Sequence, residues 1–268
     1  MKKLTLENIL SKMPADLAAD LQDFNIQKDD NGMSPAQVFF LSQEELAYYL
    51  KVSHKTLRTT TYDVIREGQV LSWLEGKLAV PKVLYMASHG DYDFLLMDQA
   101  EGQCLDYSPV GPADRVEAYV AAIRQLERVD TRTCPFDSSL DYRLDELDIL
   151  CEKGLLAEKD FYEEDLPFES PSDLVAYLKA NKPDQDLVFS HGDLSDGNIF
   201  LGPDRAIRGY IDWGRGGLAD RWYDIALIIR NIREDFEDEA YVDQFLKGLG
   251  IVPDWPRINY YMYLDTLF

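Results

Sequence analysis

The chain has 268 residues, enough for one large domain or two modest ones, and its 46% hydrophobic and 28% charged residues suit a soluble core-forming protein. Its 49 acids against 27 bases leave a formal net charge of -22, which argues against nucleic acid or an anionic membrane as a partner and fits either plain solubility or a cationic partner. Cys104, Cys134 and Cys151 are scattered without CxxC spacing, no apolar run follows Lys2 and Lys3, and no stretch of about eighteen apolar residues occurs. A cytoplasmic protein without disulfides, zinc site, signal peptide or membrane span is therefore expected.

In chain order, residues 4–22 predict a short amphipathic helix, and Asp29–Pro35 a turn-rich loop. Val38–Leu41 and Leu46–Val52 predict a hairpin joined at Ser42–Glu45. A helix is expected from about Tyr62 to Leu78, with Thr59–Thr61 available as its cap. Strands at Val83–Met86 and Phe94–Met97 follow, turning at His89-Gly90-Asp91, and Asp98–Gly102 is a polar connector. Beyond it, Val116, Tyr119, Val120, Ile123 and Leu126 recur at helical spacing, as do Leu140, Leu144, Leu147 and Leu150. Short strand-like pieces interrupt at Leu187–Phe189, Ile199–Leu201 and Ile207–Ile211. The expectation is an α+β protein with a β-rich first part and a mainly helical second.

The chemistry is concentrated in His191-Gly192-Asp193-Leu194-Ser195-Asp196-Gly197-Asn198 and in Ile211-Asp212-Trp213-Gly214. Phosphoryl transfer needs a carboxylate that orients the attacking hydroxyl, oxygen ligands for Mg²⁺ and cations on the phosphates. The Asp193-to-Asn198 spacing matches the catalytic loop of protein kinases, and Asp212-Trp213-Gly214 their metal-binding motif. Apolar runs before Asp193 and Asp212 predict strand ends facing a common cleft. The bland alternative is two acidic surface turns, one with a capping Asn. His191 reads as an anchor of the loop rather than a proton carrier. Asp224, inside an apolar helix, reads as an acceptor for the loop's backbone N–H groups.

Val64, Leu71, Leu74 and Leu78 form an apolar stripe that also contains Glu67. A carboxylate there is costly unless paired, and Lys51 at the end of the second strand is the natural partner. An edge position reaching solvent is the alternative. Tyr49 shares the strand face of Lys51, suited to stacking on adenine or to packing in the sheet.

These stretches, with Gly32–Ala36, Thr60–Val64, Trp73–Leu78, Phe189–Asp193, Ala219-Asp220, Trp222–Ala226 and Leu267-Phe268, resemble the aminoglycoside 3′-phosphotransferases nearly end to end, most closely the type III kanamycin kinases. The resemblance implies a protein-kinase-like two-lobed fold: a β-rich nucleotide-binding lobe over 1–97, a connector at 98–102 and a helical lobe over 103–268. It implies transfer of the ATP γ-phosphate, with GTP open as a substitute, to an aminoglycoside hydroxyl, the 3′-OH first. Asp193 is then the catalytic carboxylate, and Asn198 and Asp212 the ligands of two Mg²⁺ ions. Lys51 with Glu67 binds the phosphates, Tyr49 stacks on adenine, Met33 and Ser34 form the loop over the phosphates, and the backbone of Asp98–Ala100 meets the adenine edge. On the substrate side the resemblance implies Asp160, Glu163, Glu164, Arg230, Glu234 and the terminal carboxylate of Phe268. Arg215, three residues after Asp212, is a candidate for the γ-phosphate or the substrate. Thr266 departs from the Glu two places before the C-terminus in the nearest family member. A monomer without nucleic-acid or membrane partners is expected.

Ten acids against three bases between Asp141 and Asp165, and six acids without a base between Glu234 and Asp243, fit a polycationic substrate as well as solvated helix faces. A kinase for choline or a macrolide would instead want an aromatic cage or a broad apolar wall. A silent nucleotide-binding or antibiotic-sequestering protein would be expected to lack one of Asp193, Asn198, Asp212 or Lys51, and all four are present.

Overall fold

A computed structural model describes residues 9–29, 34–156, 161 and 166–268. The chain divides into two compact units, Met1–Ala100 and Glu101–Phe268. No helix among the described residues is long and apolar enough to cross a membrane.

The first unit is an antiparallel sheet of β1 (Asn25–Asp29), β2 (Gln37–Gln43), β3 (Leu46–His54), β4 (Val83–His89) and β5 (Tyr92–Asp98), in the order β1-β2-β3-β5-β4. Period-two alternation sends Phe39, Leu41, Leu50, Val52, Phe94 and Leu96 to one face, where Ile9, Met13, Leu17 and Leu21 cover them. The expected helix over 4–22 is interrupted within its described part. Pro14 forces Met13 into extended backbone, splitting a turn at Leu10–Lys12 from α1 (Ala15–Asp20). On the opposite face lies α2 (Val64–Leu74), where Gly68 lets the helix approach: a Cβ there would stand 2.6 Å from Met86 Sδ and 2.9 Å from Leu95 Cδ1. The α2 cap is Asp63, whose Oδ1 accepts from Ile65 N and Arg66 N, and not the threonines before it. The helix stops at Leu74, short of the expected Leu78, because Glu75 is extended and Gly76 takes φ +75°.

In the second unit α3 (Pro112–Glu127), α4 (Leu140–Lys153), α5 (Pro171–Ala180), α6 (Trp222–Phe236), α7 (Glu239–Leu249) and α8 (Trp255–Asp265) surround two small sheets. One pairs β6 (Gln103–Cys104), β8 (Ile199–Leu201) and β9 (Ile207–Tyr210); the other pairs β7 (Leu187–Ser190) with β10 (Gly217–Asp220). The apolar face of α6 buries Ile225, Leu227, Ile228, Ile229 and Ile232, and α8 packs against this helix. Tyr261 on α8 donates to Asp220 Oδ2 at 2.8 Å, tying the helix to the end of β10. Strands β1, β6 and β10 were not expected. Each is short and polar or glycine-containing, so pairing with a neighbour defines it, not its own pattern.

Candidate active site

β7 ends at Ser190 and hands the chain to residues 191–195, which must turn sharply without a regular element to hold them. Two carboxylate oxygens do the holding. Asp224, 4% exposed on α6, accepts the backbone N–H of His191 at 2.8 Å and of Gly192 at 2.9 Å. The His191 ring packs at a tilt of 43° on Trp213 with centroids 4.3 Å apart, and its Nε2 lies 2.8 Å from the Ile211 carbonyl. A carbonyl only accepts, so Nε2 carries the proton. Burial lowers the pKa of this imidazole, which keeps it neutral. The anchoring role expected of His191 and the backbone-holding role expected of Asp224 are both found.

Asp193 follows at once. Asn198, in a one-turn helix over Asp196–Asn198, donates from Nδ2 to Asp193 O at 2.8 Å and to Asp193 Oδ2 at 3.3 Å. With that nitrogen committed, its amide oxygen is the atom suited to a cation. Although 42% of the Asp193 side chain remains open, the surrounding protein pushes its carboxyl above the ordinary range. Arg215 opposes the shift, and the charges of Asp265 and Asp212 add to it.

Asp212 follows β9 in left-handed backbone, φ +62° and ψ +59°, a conformation that costs a non-glycine residue about 1–2 kcal/mol. Ile211 N donates to Asn198 O at 3.2 Å, so the two motifs are stitched together by main chain as well as by His191. The second unit thus gathers Asp193, Asn198 and Asp212, as the two motifs imply.

Arg215 is only 12% exposed. Its Nη1 lies 2.7 Å from Asp265 Oδ1 and 3.8 Å from Asp193 Oδ1. Arg230 holds the other oxygen of Asp265 at 2.6 Å and stands 3.8 Å from Glu234, whose side chain is 63% exposed. Burial would raise the Asp265 pKa, but Arg230 and Arg215 outweigh it and hold the carboxyl below its usual value. The Phe268 ring lies 5.1 Å from the Arg215 guanidinium carbon and 5.7 Å from that of Arg143. Thr266 is 2% exposed and its hydroxyl donates back to Met262 O at 3.0 Å, so it does not stand in for the family's glutamate as an exposed ligand.

In the first unit Lys51 Nζ donates to Glu67 Oε1 at 2.6 Å, with the two side chains 12% and 7% exposed. The glutamate on the apolar stripe is therefore paired, not solvated. The Tyr49 ring is half-buried and packs on Phe40 with centroids 5.3 Å apart; burial, then the charge of Asp29, pushes its phenol pKa up. Ser34 Oγ accepts from Ala36 N at 3.0 Å, and Asp98 Oδ1 accepts from Lys82 N at 2.5 Å. Ala100 closes the unit. Met33, Asp160, Glu163 and Glu164 lie outside the described residues.

The acidic runs need a correction. Glu146 is not part of an anionic surface: it is 1% exposed and bonded to Arg143 at 2.6 Å. Asp148 pairs with Lys179 at 2.5 Å, Asp141 with Lys182, and Glu239 with Arg233 at 2.6 Å. Among the described acids of the two runs, these four are thus answered locally. Sequence reasoning also missed Arg143 itself, although it falls on the Leu140, Leu144, Leu147 stripe as Glu67 does on its own.

Residues 25–261 match the phosphotransferase enzyme family. The chain is 46% identical over 252 residues to an aminoglycoside 3′-phosphotransferase of Enterococcus faecalis, covering 92% of this chain and 95% of the relative. Among solved structures it resembles an aminoglycoside-3′-phosphotransferase of type VIII, with TM-score 0.80, 25% identity, and 94% and 97% of the two chains covered. It also resembles the aminoglycoside phosphotransferase APH(3″)-Id of Streptomyces rimosus in complex with ADP and streptomycin, with TM-score 0.79, 25% identity, and 98% of each chain covered. Fold, motif geometry and full-length similarity coincide: the chain belongs to the phosphotransferase enzyme family and, within it, to the aminoglycoside 3′-phosphotransferases.

Proposed function

We propose that this protein transfers the γ-phosphoryl group of ATP to an aminoglycoside hydroxyl, the 3′-OH foremost, and thereby confers resistance to the antibiotic. The observation that carries the reading is the Asn198 amide bonded to both the main chain and the carboxylate of Asp193, with the Asp212 charge near enough to act on it. Asp193 orients the attacking hydroxyl and accepts its proton as the bond to phosphorus forms. Lys51, fixed in direction by Glu67, contacts the α- and β-phosphates, Tyr49 offers its ring to adenine, and Ser34 belongs to the phosphate loop.

Asn198 and Asp212 present an amide oxygen and a carboxylate, hard donors that suit Mg²⁺ if phosphate and water complete the shell. Among the described residues no group of three or more His, Cys, Asp or Glu forms a metal cage, which fits a metal that arrives with the nucleotide. When bound, Mg²⁺ would neutralise charge on the phosphate oxygens. Arg215, braced by Asp265, places a positive charge beside Asp193, and Glu234 with its open carboxylate is available to a substrate ammonium. Asp160, Glu163, Glu164, Arg230 and Phe268 complete the proposed substrate side. A monomer in the cytoplasm is part of the proposal.

The test is ATP consumption by the purified chain across aminoglycosides that differ at the 3′ position. Kanamycin should turn over, and a 3′-deoxy analogue lacking other acceptor hydroxyls should not. Asp193→Ala should lower kcat by at least ~10²-fold with ATP affinity nearly kept. A variant retaining more than a hundredth of the parent kcat refutes the role of Asp193.

A further inference from the structure

Arg143 and Glu146 form an ion pair inside the helical unit, each 1% exposed, with Nη1 to Oε2 at 2.6 Å. Such a pair contributes little to stability, because desolvating both charges offsets their attraction, and apolar residues of similar volume often serve as well. Its other contacts suggest a different use. Arg143 Nη2 donates to the backbone carbonyl of Arg215 at 2.6 Å. Ser138 Oγ reaches the same oxygen at 2.9 Å and Gly216 O at 3.2 Å. This carbonyl also lies close to the loop that carries Asp193: a Cβ at Gly192 would stand 2.7 Å from Arg215 O. The Arg215 carbonyl is therefore close to both α4 and the residue preceding Asp193, while the Arg215 guanidinium lies 3.8 Å from the Asp193 carboxylate.

We propose that Arg143 is a positioning residue for phosphoryl transfer: it pins the main chain at Arg215, and so sets both the Gly192-Asp193 turn and the place of the Arg215 charge. Glu146 keeps the guanidinium aimed. The inference rests on the assignment of Asp193 as the group that orients the acceptor hydroxyl. It gives Arg143 no contact with the nucleotide, so its loss is felt in turnover and not in nucleotide binding.

The test compares the full-length parent with an Arg143→Met/Glu146→Leu double variant, Arg143→Lys and Ser138→Ala, measuring kcat and both KM values with ATP and kanamycin alongside thermal unfolding. The double variant removes the carbonyl donor without leaving a buried unpaired charge, so its Tm should stay within about 5 °C of the parent. Its kcat should fall at least ~10-fold while the KM for ATP changes less than about twofold, the pattern of a lost transition-state arrangement. Arg143→Lys keeps the charge for Glu146 but not the two-headed grip, and should lie between. Ser138→Ala should lose a few-fold in kcat. A stable double variant with kcat within twofold of the parent overturns the proposal. If the double variant fails to fold, unchanged kcat in a folded Arg143→Lys overturns it instead. A parent that phosphorylates no aminoglycoside overturns this inference together with the assignment of Asp193.

Discussion

Asp224 stands 32 positions beyond Gly192 in sequence, yet its carboxylate accepts the Gly192 N–H at 2.9 Å. With the second oxygen on His191 N at 2.8 Å, one buried side chain satisfies two consecutive backbone donors of the Asp193 loop. Replacing it by Asn would turn an amide N–H₂ toward one of those donors. Asp224→Asn should therefore cost about 2–4 kcal/mol in urea unfolding, with kcat reduced at least tenfold in the folded protein. Full activity at parent stability would show that the loop holds itself.

Gly192 takes φ +77°, and a Cβ there would meet the Arg215 carbonyl at 2.7 Å, so Gly192→Ala combines backbone strain with a clash against main chain that is itself held. A loss of at least about 2 kcal/mol is expected, with a clear fall in kcat. Gly154 at the end of α4 supplies the control. It takes φ +62° with nothing within 4 Å of the would-be Cβ, so Gly154→Ala should cost about 1 kcal/mol and leave kcat unchanged.

His191 gives a pH dependence of definite sign. Burial depresses its pKa below the unfolded value of about 6.5, so between the two values the unfolded chain binds more protons. Its contribution to stability is complete above about pH 6.5 and is lost as the pH falls from there toward the folded pKa. In denaturant unfolding from pH 5 to 8, the parent should lose more stability on acidification than His191→Gln does, while raised carboxylates such as Asp196 act in the opposite sense in both proteins. An identical pH profile in the variant would mean that the imidazole is not the responsible group.

The 2.6 Å bond between Lys51 and Glu67 predicts a nucleotide-side effect. Glu67→Gln keeps the shape and removes the charge that aims the ammonium. The KM for ATP should rise several-fold while the KM for the aminoglycoside stays within about twofold. Equal changes in both would argue against a phosphate-binding role for the pair.

The legible part of this protein was local. Alternation marked the β2–β3 hairpin, and helical spacing marked α3 and α4, because each element buries one face and must repeat apolar residues at its own period. The misplaced details were those decided by a neighbour. Asp63 won the α2 cap from the preceding threonines, and Pro14 divided the first helix. β1 became a strand only by pairing with β2.

By itself the sequence put forward the proposed reacting groups, since Asp193, Asn198 and Asp212 stand at the spacings of the protein-kinase catalytic and metal-binding motifs, and a charged residue in an apolar stripe announces its need of a partner. Tertiary structure alone decided what that chemistry leans on. The Arg215–Asp265–Arg230 cluster and the Arg143–Glu146 pair join residues from separate helices and turns to the loops they steady. It also decided which acids remain available, for Glu146 is hidden and Asp148 is paired. The physical reason is that a carboxylate's meaning depends on the charge and solvent around it, and residues distant in the chain supply both.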